Sequence, residues 1–167
     1  MNELIAYSAT QQARLIRERR VSSRELVAAH LERIAAINPK INAAIQVLTE
    51  SALAEAAAAD ASEPRGPLHG VPFSIKDSIE LAGTVCTAGT LGRSGAAPST
   101  EDATLVARLR RAGGIPIAKT NLPSNTAFRG FGGPQVCARR RALLSCCLPS
   151  PSLPVQSPCS AVGGKSV

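Results

Sequence analysis

Glu101-Asp102-Ala103-Thr104-Leu105-Val106-Ala107-Arg108-Leu109-Arg110-Arg111-Ala112-Gly113-Gly114-Ile115-Pro116-Ile117-Ala118 decides the fold class, because a helix start, a helix stop and a strand follow one another within it. Ser99 or Thr100 is the candidate cap, Glu101 and Asp102 set acids at the positive end of the helix, and Arg108, Arg110 and Arg111 set bases at the negative end. Gly113-Gly114 is the stop. The spacing therefore predicts a helix over 101–112 and a strand over 115–118. Upstream, the apolar run 71–75 is a second strand candidate, and the Gly-, Thr- and Ser-rich stretch 83–98 between them is a long loop. Strand, loop, helix, strand predicts a parallel pair and an α/β protein.

The first 60 residues read as helical. Ser8 caps a helix expected to run through Arg20, and Ser22-Ser23-Arg24-Glu25 is a capping box that starts another. In that second helix Leu26 or Val27, His30 or Leu31, Ile34 and Ile37 recur at three- and four-residue spacing and form an apolar stripe. Asn38-Pro39 is the expected stop, since the residue before proline is disfavoured in helix. The run 41–48 reads equally as a strand or a buried helical turn, and the alanine-rich stretch 49–61 reads as helix with Thr49 as cap. Glu63-Pro64-Arg65-Gly66-Pro67 is a break. Three regions follow: N-terminal helices over 1–62, an α/β region over 63–135, and an unstructured tail over 136–167.

The chain has 167 residues, 44% of them hydrophobic and only 2% aromatic, so Ala, Leu, Ile and Val must build the core. No stretch approaches the roughly 20 apolar residues of a membrane span, and the N-terminus lacks the pattern of a signal peptide, so a cytoplasmic protein is expected. The net charge of +7 is uneven: residues 1–123 carry 14 bases against 12 acids, whereas 124–167 carry five bases and no acid. The run Arg139-Arg140-Arg141 lacks interleaved aromatics, so no nucleic-acid partner is expected. The five cysteines form no C-x-x-C pair, and no metal or cofactor is expected. Gly164-Lys165-Ser166 is no phosphate loop, because Cys159 stands where a glycine is needed. His30, His69 and Cys86 have no activating partner at diagnostic spacing and are expected to be structural or inert.

Lys76 is the candidate catalytic residue. It ends the apolar stretch Val71-Pro72-Phe73-Ser74-Ile75, and sites in α/β sheets form where strands end. Desolvated there, it would lose pKa and serve as a base; paired to Asp77 in solvent, it would be inert. The segment Gly66-Pro67-Leu68-His69-Gly70-Val71-Pro72-Phe73-Ser74-Ile75-Lys76-Asp77 resembles the G-P-L-x-G-[IV]-P-x-x-[IVL]-K-D element of the amidase signature family. The resemblance continues through Thr87-Ala88-Gly89-Thr90, Asp102-Ala103-Thr104-Leu105-Val106, Leu109-Arg110-Arg111-Ala112-Gly113-Gly114 and Ala118-Lys119-Thr120-Asn121-Leu122-Pro123.

The resemblance implies part of the mixed sheet of an amidase signature fold behind the N-terminal helices. It implies hydrolysis of carbon–nitrogen bonds in a small-molecule amide by a Ser-Ser-Lys unit, with Lys76 as its lysine. A neutral amine would take a proton through a bridging serine while a second serine attacks the carbonyl, and backbone N–H groups of a Gly-rich turn would hold the oxyanion. The chain departs from the family after Pro123: no G-G-S-S-G-G segment lies within 124–167, where prolines 149, 151, 154 and 158 also exclude helix and central strand. A truncated, inactive amidase with a frameshifted or mis-spliced tail is the expectation, which the coding sequence read in its other frames would test. The alternatives are a non-catalytic interaction module and a subunit of a tRNA-dependent amidotransferase.

Overall fold

The structure, a computed structural model, describes residues 3–122; the expected unstructured tail lies outside them. A 3-10 turn at Glu3–Ala6 leads to α1 (Ala9–Arg17), α2 (Ser23–Ile41), β1 (Ala44–Val47) and α3 (Thr49–Asp60). Then come β2 (Pro72–Lys76), a 3-10 turn at Leu91–Arg93, α4 (Thr104–Arg111) and β3 (Ile115–Thr120). The sheet order is β1-β3-β2. The parallel pair expected from the sequence is β2 with β3, and β1 closes the other side of β3 antiparallel. The ambiguous run 41–48 thus contains a strand, which makes the sheet mixed.

Both N-terminal capping boxes form: Ser8 with Gln11 and Ser22 with Glu25 exchange side-chain and backbone hydrogen bonds. The helix ends and caps differ from the sequence reading at several points. Helix α1 ends at Arg17 rather than Arg20, because Arg19 adopts φ +55. The Arg19 N–H reaches the Ile16 carbonyl and the Arg20 N–H the Leu15 carbonyl, a Schellman closure without glycine. Helix α2 runs through Pro39 to Ile41, since proline's fixed φ is itself helical and only one hydrogen bond is lost in the last turn. Its end is set by Asn42 in the left-handed region and by Asn38, whose side chain bonds both backbone groups of Ala44.

Helix α3 starts after Leu48 without a side-chain cap, so Thr49 does not act as one. Helix α4 starts at Thr104 and not at 101, again without a side-chain cap. Asp102 instead accepts the Ala82 N–H at 2.9 Å and approaches Arg110 at 3.6 Å. Ser99 is held in the loop by backbone bonds to Gly83 and Thr84. Tertiary bonds thus prevail over local capping, which is worth only about 1 kcal/mol.

The main core gathers Val27 and Leu31 of α2, Ala52, Ala56 and Ala59 of α3, and Ile115, Ile117 and Ala118 of β3. Alanines on α3 let two helices and a sheet converge with no large aromatic. A second carboxylate bond ties the helices: Asp60 at the end of α3 accepts the N–H groups of Ser23 and Arg24, at 2.7 and 3.0 Å, on the positive end of α2. Gly113 has to be glycine, because φ is +93 and a Cβ there would lie 2.6 Å from His69 Cα.

Candidate active site

Lys76 is the last residue of β2, opposite Thr120 of β3, and its side chain is exposed. The backbone then turns: the Asp77 N–H donates to the Thr120 carbonyl at 3.0 Å and the Ile79 N–H to the Lys76 carbonyl at 2.9 Å. The strand end is thereby set on the parallel pair, where sites form in α/β proteins. The desolvation considered for Lys76 is absent among the described residues. A groove of about 560 Å³ runs between α2 and the sheet, lined by Ile34, Ile37, Phe73, Ser74, Ile117 and Thr120, and Lys76 is not in its walls.

Asp77 does not pair with Lys76. It points inward, 1% exposed, where Thr87 Oγ1 donates to its Oδ2 and Lys119 Nζ stands 3.7 Å from its Oδ1. Lys119 is 0% exposed and donates to the Ile79 carbonyl at 2.6 Å. The Cys86 thiol is buried and donates to the Asp77 carbonyl at 3.0 Å. Sequence reasoning missed Lys119, which follows the strand expected over 115–118 and belongs to β3 in the structure. Ile115, Pro116, Ile117 and Ala118 are all buried, so β3 is covered on both faces and a lysine within it needs a partner.

The histidines have structural surroundings. His69 is buried, its Nδ1 accepting the Arg65 N–H at 3.2 Å, so Nε2 carries the proton given to the Ala59 carbonyl at 3.1 Å. His30 is half-buried, and burial holds its pKa below the ordinary value. Its Nε2 lies 3.1 Å from Gln12 Nε2, which is fixed as a donor by the Leu4 and Tyr7 carbonyls. Among the described residues no group of three or more His, Cys, Asp or Glu could hold a metal ion, and no helix is long and apolar enough to cross a membrane.

The family model "Amidase" matches residues 25–130. A glutamyl-tRNA(Gln) amidotransferase subunit of Salinispora arenicola is 39% identical over 141 residues, covering 79% of this chain and 28% of that protein. Indoleacetamide hydrolase of Bradyrhizobium diazoefficiens is 40% identical, covering 75% of this chain and 24% of that protein. The crystal structure of native peptide amidase from Stenotrophomonas maltophilia superposes with a TM-score of 0.63 at 37% identity, covering 69% of this chain and 24% of that one. The chain belongs to the amidase family. It spans about a quarter of the length of these relatives.

Proposed function

We propose that this chain is the front portion of an amide hydrolase that cleaves carbon–nitrogen bonds, with Lys76 as the general base. The observation that carries this reading is the position of Lys76: it closes β2 at the end of the parallel pair, on a turn pinned to β3, in a chain that belongs to the amidase family. Its amine is exposed among the described residues, so the reading requires the rest of the enzyme to cover and desolvate it. An amine there could take the proton of a bridging hydroxyl while a second hydroxyl attacks the carbonyl. The paired serines that this chemistry calls for are not found within 124–167. The 167-residue chain alone is therefore inactive in this reading, because a base without nucleophile and oxyanion donors leaves the reaction near its uncatalysed rate.

Two measurements test it. The purified chain should turn over no small aryl amide. A chimaera in which residues 1–122 replace the matching segment of a full-length amidase should be active, and Lys76→Ala should lower its kcat by about 10²–10⁴. An unchanged rate in that variant would sink the role of Lys76. A second reading, a component of a tRNA-dependent amidotransferase, is supported by the 39% identity to the Salinispora protein. It predicts that the chimaera built on such a component requires its partner chains for activity, whereas one built on a single-chain amidase does not.

A further inference from the structure

Beneath the Lys76 turn lies a polar interior that the proposed chemistry does not use. Four bonds converge on the backbone groups of this turn: Thr120 accepts from the Asp77 N–H, Ile79 donates to the Lys76 carbonyl, Cys86 donates to the Asp77 carbonyl and Lys119 donates to the Ile79 carbonyl. Thr87 holds one oxygen of the Asp77 carboxylate and Lys119 stands nearer the other, Oδ1, which has no hydrogen-bond partner among the described residues. Apolar packing would close this space at lower cost, since desolvating two charges outweighs much of their attraction. What a charged pair offers instead is one geometry, because a displaced partner leaves a buried charge bare.

We propose that Lys119, Asp77 and Thr87 are positioning residues that hold the turn from Lys76 to Ile79 in a single conformation, so that the Lys76 amine leaves the sheet in a fixed direction. The role given to Lys76 itself rests on the amidase reading above; the clamp is a property of the turn. Asp77 is the hub, joining a strand, a loop and a turn through one side chain and its own peptide groups. Lys119 carries the clamp into β3, so that strand and turn move together. Thr87 brings in the loop that precedes α4.

The test is the backbone order parameter of the Lys76, Asp77 and Ile79 amides, measured by ¹⁵N relaxation on the full 167-residue chain. In Thr87→Val, which keeps the shape and removes the hydroxyl, these values should fall from about 0.85 toward 0.6 while Val27 and Leu31 stay at about 0.85. Thr87→Ser should restore them. A bond that merely stabilises the fold would lower the melting temperature and leave the native order parameters where they were, and that result would overturn the proposal. If Thr87→Val does not fold, Cys86→Ala, which removes the bond to the Asp77 carbonyl together with one buried sulfur, is read in the same way. Lys76→Ala should leave the neighbouring Asp77 and Ile79 values unchanged, so loss of the base reading in the chimaera and loss of the clamp are separate outcomes.

Discussion

The interface of α2, α3 and β3 and the interior under the Lys76 turn are both closed to bulk solvent, but they are filled by different chemistry. The first is filled by Val27, Leu31, Ala52, Ala56 and Ile117, none of which has a polar side-chain atom to satisfy. The second buries a lysine and an aspartate that are 0% and 1% exposed, and it holds only while each faces the other. An apolar interface loses energy in proportion to the atoms removed. A paired polar interior loses more when one member goes than when both do.

That contrast is sharpest for Lys119→Ala, which should destabilise the chain by about 3–5 kcal/mol, because Asp77 keeps a buried charge with no counter-ion. The double variant Lys119→Met with Asp77→Asn should regain at least half of the loss, roughly 2 kcal/mol, on the same principle. Urea unfolding of the single and double variants measures both. A double variant as unstable as the single one would mean that packing, and not charge, holds this interior.

On the apolar side the expected effect is smaller. Val27→Ala removes buried carbon worth about 0.8 kcal/mol per methylene plus a cavity contribution, for a total of about 2 kcal/mol. No second substitution should rescue it, because nothing charged is left behind.

These two regions also differ in how far they could be read from the sequence. Leu26, Val27, Leu31 and Ile34 announce the buried face of α2 by their spacing, and the Ser22 capping box announces its start, because both signals are local. The parallel pair is likewise visible in the order of strand, loop, helix and strand. The start of α4 is not, since Asp102 leaves the helix for an N–H twenty residues upstream in the chain, and no local pattern encodes that. Lys76 stands out through a motif and a strand end. Lys119 does not, because a lysine next to Thr120 and Asn121 looks like a solvated strand end, and its burial depends on Asp77 and Ile79, some 40 residues away.

Ser22→Ala lies below both interiors in expected effect. It breaks the reciprocal bonds with Glu25 and should cost about 1 kcal/mol, read from the same urea transitions. His30 adds a smaller, pH-dependent loss. Its folded pKa is depressed from 6.5 by burial, so its contribution is intact above 6.5 and is lost as pH falls below that value toward the folded pKa. A protonated His30 would also turn a donor toward the Gln12 amide nitrogen. The urea midpoint should therefore drop more between pH 7.5 and pH 5.5 (about one unit either side of the ordinary imidazole value) in the parent chain than in His30→Gln. Equal drops would place the acid sensitivity elsewhere.

The smallest effect is expected at the residue proposed to carry the chemistry. Lys76 has an exposed side chain, and none of the ion pairs among the described residues involves it. Its backbone bonds to β3 and to Ile79 do not depend on which side chain it bears. Lys76→Ala should therefore change stability by no more than about 0.5 kcal/mol, the range of ordinary surface substitutions. Lys119→Ala, in the adjacent strand and one register position away, should cost several times more. Paired urea titrations of the two variants make the comparison direct. If Lys76→Ala were as damaging as Lys119→Ala, Lys76 would be part of the interior rather than a free amine at its edge.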